Sequence, residues 1–159
     1  MLELFTAFFS IFFIPFFEFT LPSDINIYLI LLVVVVIYAF TDRLNIEARY
    51  GLDPSVFSML KQLSTVFLII LGFIFLKEPI ILKKIIGSII IIFANILLAF
   101  DKGKFKINKY FIMSFISNFL FAVAMLINVN ISSNFNIAFY TILTVFLPSI
   151  LIFLSGRYK

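Results

Sequence analysis

An all-α integral membrane protein of about six transmembrane helices is the fold class this sequence predicts, and three observations carry the prediction. First, 64% of the 159 residues are hydrophobic, 13% are charged, and the mean hydropathy is +1.22. Soluble domains carry about 25% charged residues, so this chain cannot cover a core with polar surface and must use lipid as its solvent. Second, the stretch Ala48 to Phe100 holds two long apolar runs joined by the short hinge Lys77, Glu78, Pro79. The first of them, Val56 to Leu76, is long enough to cross a hydrocarbon core of about 30 Å at about 1.5 Å per residue. Third, runs such as LILLVVVVIYAF and GSIIIIFANILLAF do not alternate apolar and polar residues, as the strands of a membrane barrel must. They are rich in β-branched residues, yet in lipid a backbone must satisfy its own hydrogen bonds, and the helix does so locally.

Taken in order, the apolar runs predict helices at Leu4 to Phe19, Ile27 to about Asn45, Pro54 to Leu76, Ile85 to Phe100, Tyr110 to Ile127 and Ile137 to Leu154. The N-terminal run lacks a basic start and a small-residue cleavage site, so it reads as a retained span and not as a signal peptide. The second helix has only fourteen uninterrupted apolar residues and is expected to continue through Asp42 and Arg43, with Arg43 and Glu47 paired at i, i+4. The third begins sharply: Asp53 is an N-cap, and Pro54 takes the first helical position, where its missing N–H costs nothing. Glu78 ends this helix beside Lys77, and Pro79 forbids its continuation. The linker DKGKFKINK, residues 101–109, is the predicted boundary between residues 1–100 and 110–159. A short recurrence supports that boundary, because FFIP at Phe12 to Pro15 returns as VFLP at Val145 to Pro148.

Composition also excludes chemistry. Without Cys or His there is no thiolate nucleophile, no zinc site of the usual kind, no disulfide and no Ser-His-Asp triad. No paired carboxylates converge, so the chain is read as a non-enzyme with no cofactor and no catalytic or metal site. The formal charge of +4 lies in short loops between apolar runs and forms no single basic face, which argues against nucleic acid as a partner. The expected partner is the lipid bilayer of a plasma or inner membrane.

Polar residues within the spans are the candidate site. Ser58, Lys61, Gln62 and Thr65 recur at spacings of three and four and form a stripe on one face of the third helix. Lys61 is the sole ionisable residue well inside an apolar run, and a lysine at a helix centre costs about 2.5 to 3.5 kcal/mol on insertion scales. Either it snorkels to the nearer interface, roughly 10 Å away, or it lines a cavity. In the fifth helix Ser114, Ser117, Asn118 and Ala122 form a second stripe of small and polar residues. In membranes such a stripe ordinarily lets helices pack closely and hydrogen-bond across the contact.

The segment Tyr50 to Phe100 resembles the EamA branch of the drug/metabolite transporter superfamily. The residues that carry the resemblance are RYGLDPSVFSML, then FIFLKE at Phe73 to Glu78, then Gly87 to Ile92. Lys77 stands where that family usually has glycine, and Ala94 and Asn95 stand where a second glycine is common. The resemblance implies ten helices in two inverted five-helix repeats, with a substrate site between the repeats near the midplane. On that plan the six helices correspond to helices two to seven, so the chain is expected to be incomplete and not to transport by itself. The same plan makes Ser58, Lys61, Gln62, Thr65, Ser114 and Asn118 substrate-path candidates and turns Asn95 away from the cavity. Glu78 and Gly87 are structural members of the motif, Gly87 letting another helix approach. The implied function is alternating-access movement of small metabolites. The competing reading is a non-transporting membrane subunit or inert fragment that only packs against other helices, in another copy or in absent segments. Orientation stays open. Eight basic residues on the side of the linker and tail against three on the other make that side cytoplasmic by the charge rule, whereas the family plan implies the reverse.

Overall fold

A computed structural model of the chain describes residues 2–77, 79, 81–101 and 108–154. It consists of helices, with no strand among the described residues. Six α-helices follow the six apolar runs: α1 (Leu2–Phe13), α2 (Ile25–Gly51), α3 (Pro54–Phe75), α4 (Leu82–Asp101), α5 (Lys109–Ser132) and α6 (Ile137–Leu154). By length and composition α2, α3 and α5 are each sufficient to cross a membrane, and Ile137–Ile152 in α6 forms a shorter apolar stretch. Large apolar side chains such as Phe12, Leu32, Ile74, Ile90 and Phe93 are exposed. A water-soluble monomer does not show apolar surface on that scale, which suits surroundings of lipid or of other apolar helices.

The helix ends follow local chemistry. α1 stops at Phe13 and not at Phe19 as the apolar run predicted, and a 3-10 turn covers Ile14–Phe16. Pro15 is the cause: it cannot donate an N–H, and the chain leaves the turn extended at Phe17. The corresponding Pro148 lies inside α6, which continues past it. The two halves of the short recurrence therefore differ in their response to proline, although α1 and α6 pack against each other. α2 runs six residues beyond the predicted Asn45. It starts after Asp24, whose carboxylate accepts from Asn26 N–H at 2.9 Å. Its polar end carries the expected Arg43–Glu47 pair, 3.7 Å apart, and Arg49 in the last turn complements the helix dipole. α3 begins as predicted, with the Asp53 carboxylate accepting from Ser55 N–H at 3.0 Å and from the Ser55 hydroxyl at 2.7 Å. α5 starts with Asn108, whose side chain accepts from Phe111 N–H at 2.9 Å, and extends five residues past the predicted Ile127.

Contacts gather the chain into two compact units. One comprises residues up to Phe40 and from Ile127 onward, and the other comprises Thr41–Leu126. This grouping by packing is a separate matter from the repeat boundary expected at 101–109, of which 102–107 lie outside the described residues. In the first unit Leu31, Val34 and Val35 of α2 pack with Ile131, Phe135 and Tyr140. Asn136 secures that unit. It is 1% exposed, its side-chain oxygen accepts from Phe139 N–H at 3.0 Å, and its amide donates to the carbonyls of Phe17 at 3.1 Å and Glu18 at 3.0 Å. Those two carbonyls lie in the segment that Pro15 removes from the helix, so one side chain caps α6 and satisfies backbone that would otherwise lack a partner in an apolar setting. In the second unit α3 packs on α4, and Phe67 of α3 meets Phe115 and Phe119 of α5 edge to face at centroid distances of 5.2 and 5.5 Å. α2 and α5 approach closely at Gly51, where an added Cβ would clash with the Tyr110 ring.

Candidate functional site

The α2–α3 corner holds an open cleft of about 530 Å³ lined by Arg49, Leu52, Pro54, Phe57, Ser58 and Lys61. Its geometry follows from the short link after Gly51. α3 restarts at Pro54, so its first turns lie beside the last turn of α2. Phe57, four residues before Lys61, is buried, and its ring meets two cations. The Arg49 guanidinium carbon is 5.0 Å from the ring centroid and the Lys61 ammonium is 6.0 Å from it. Both distances lie within the range of attraction to an aromatic face. Ser58 donates its hydroxyl to the Pro54 carbonyl at 2.9 Å, leaving the oxygen able to accept.

All four residues of the α3 stripe, Ser58, Lys61, Gln62 and Thr65, are exposed. The opposite face of the helix, with Val56, Met59, Leu60 and Val66, is buried. Ser58 and Lys61 line the cleft, and Gln62 and Thr65 continue the same polar face farther along the helix. Arg49 and Phe57 were missed as site residues. Arg49 reads in sequence as one more loop charge, but the i, i+4 spacing of Phe57 and Lys61 is a usable signal.

The α5 stripe is placed differently. Ser114 and Ser117 are fully buried and Asn118 nearly so. The Asn118 amide donates to the Leu60 carbonyl at 3.0 Å and the Ser114 carbonyl at 2.8 Å, and the Ser117 hydroxyl donates to the Thr41 carbonyl at 3.0 Å. These residues tie α5 to the backbones of α3 and α2. The two stripes therefore do not face each other across a path: Asn118 grips α3 at Leu60, on the side away from the exposed Lys61 face. Ser114 and Asn118 hold helices together in this chain.

Gly87 was expected to sit under a closely approaching helix. A Cβ added there would meet nothing within 4 Å, so that surface of α4 is open among the described residues. Asn95, on the same helix, has both side-chain polar atoms shielded without a hydrogen-bond partner among the described residues. Glu78 lies outside the described residues. Its neighbour Lys77 has φ +50°, the left-handed conformation, one residue past the α3 C-cap. This is the position where the family motif has glycine, and a helix that ends in this way needs a residue tolerant of positive φ.

A comparison with protein families matches residues 2–100 to the EamA-like transporter family. This chain belongs to that family. The matched stretch runs from α1 through α4, with α5 and α6 beyond it. No curated protein and no solved structure matches the chain. With the apolar helices, membership makes this EamA-like chain a multi-pass membrane protein of a transporter family, which is not a family of enzymes. A second groove, about 550 Å³ and lined by residues such as Tyr28, Leu31, Val35, Phe139 and Leu147, is almost wholly apolar. It lacks the few convergent polar groups that orient a small polar substrate.

Proposed function

We propose that this EamA-like chain contributes one wall of an alternating-access path for small metabolites in a plasma or inner membrane, and that the path is completed by further helices. The observation that carries the reading is the exposed polar face of α3. A face bearing a lysine, a glutamine and a threonine along a membrane-spanning helix is expensive against lipid and economical against water or a polar partner. Thr65 is eleven residues from the helix start, about 16 Å along the axis, which puts the far end of the face near mid-depth. Lys61 and Ser58 would meet substrate, Gln62 and Thr65 would line its route, and Ser114 and Asn118 would hold α3 in place from behind. On the two-repeat plan α1–α4 belong to the first repeat, α5 and α6 open the second, and 101–109 separates them.

The competing reading, a non-transporting subunit that packs against other helices, draws on the open surface at Gly87 and the unpartnered Asn95 amide. Metabolite profiling of the source cells separates the two. With Lys61→Met in place of the wild type, the cell-to-medium ratio of at least one small metabolite should shift in the same direction as on deletion of the gene, with membrane insertion unchanged. Identical profiles for wild type and Lys61→Met would reject the role of this face in transport.

A further inference from the structure

We propose that the α2–α3 cleft binds an oxyanion, a phosphate or carboxylate group held by Arg49 and Lys61. Both cations lie on one aromatic ring, so their charges are no farther apart than the sum of their two distances to it, 5.0 and 6.0 Å. Neither has a carboxylate within 4 Å among the described residues, where the pair at that range is Arg43 with Glu47. Glu47, two residues from Arg49 in sequence, is the partner of Arg43, and the Asp53 carboxylate caps α3 through Ser55. Among the described residues the lining therefore carries two positive groups and no negative one. Two cations lining one cleft make its potential positive, and an anion there is attracted to both while accepting charge-assisted hydrogen bonds. The planar guanidinium suits a two-oxygen contact and the ammonium supplies a point charge. At about 530 Å³ the cleft has room for a phosphate-bearing metabolite or a lipid headgroup. The assignment names the ligand class of the face given to substrate above and in that respect rests on the transport reading, but binding is measured without flux, so the two fail separately.

The test uses the full chain in phosphatidylcholine nanodiscs, with radiolabelled inorganic phosphate as the soluble probe. A second arm scores retention of phosphatidylglycerol by native mass spectrometry. Saturable binding of phosphate without anionic lipid identifies a soluble ligand, and retention of phosphatidylglycerol alone identifies a headgroup; either supports the oxyanion site. Arg49→Gln and Lys61→Met should each lower the affinity of the bound probe tenfold or more, Lys61→Arg should retain it, and Lys83→Gln on α4 should leave it unchanged. Helical content by circular dichroism checks folding, and if Arg49→Gln does not fold, the Lys61→Met and Lys61→Arg pair decides. Binding of neither probe, a loss smaller than tenfold in Lys61→Met, or an equal loss in Lys83→Gln overturns the proposal.

Discussion

Replacing Asn136 with alanine should destabilise the protein more than truncation of Asn118 does. The side chain performs two tasks, and their costs can be estimated separately. Loss of the cap at Phe139 N–H is worth about 1 kcal/mol. Loss of the amide leaves the Phe17 and Glu18 carbonyls without their donor, and at about 1 kcal/mol for each hydrogen bond the total reaches roughly 3 kcal/mol. That is about two orders of magnitude in the unfolding equilibrium constant. Reversible unfolding in mixed micelles, followed by circular dichroism, measures it. Asn136→Ser retains a capping oxygen but loses the reach to the two carbonyls, so it should recover about 1 of the 3 kcal/mol. Asn136→Asp keeps the cap but aims a carboxylate at two carbonyl oxygens, and should be no better than alanine. An Asn136→Ala variant within about 0.5 kcal/mol of wild type would refute the reasoning, because it would mean that the chain after Pro15 finds its hydrogen bonds elsewhere.

Three other substitutions test the helix ends and contacts. Lys77→Gly should stabilise by about 1 kcal/mol, since a side chain at φ +50° pays a left-handed penalty that glycine avoids; loss of stability in the same micelle assay would contradict the helix-end account. Gly51→Ala should destabilise by about 1 to 3 kcal/mol through its clash with the Tyr110 ring, and Tyr110→Ala in the same chain should cancel most of that loss, a coupling read from the double-mutant cycle. Asn118→Ala should cost about 2 kcal/mol through the lost bonds to Leu60 and Ser114; full stability in that variant would return Asn118 to the list of residues free to meet substrate.

The helical membrane class was legible in the sequence because it depends on sums over long windows, and lipid leaves the backbone little choice. Helix starts were legible where a cap and a proline coincide, as at Asp53 and Pro54. Helix ends were not: Pro15 ends α1 while Pro148 leaves α6 running, and the outcome depends on what receives the freed carbonyls. Asn136 supplies that answer for α1, and its sequence position bears no sign of its contacts with a segment about 120 residues earlier. The polar stripes show the same limit. Spacing groups Ser114 with Asn118 and Lys61 with Gln62, but it does not say which stripe is turned inward. The structure buries the first pair against helix backbone and exposes the second. Arg49 joins Lys61 only because α2 extends past Asn45 and turns sharply into α3, a length that apolar content alone could not predict.

On the transport reading, the polar face of α3 is bathed in water at membrane depth. The chain contains no cysteine, so single cysteines can be placed without background. With the protein in native membranes, Gln62→Cys and Thr65→Cys should react with a membrane-impermeant charged maleimide, while Ile70→Cys and Ile74→Cys, on exposed apolar positions farther along the same helix, should not. Reactivity at 62 and 65 matching the low level at 70 and 74 would mean that the face is packed or in lipid, and would contradict the account.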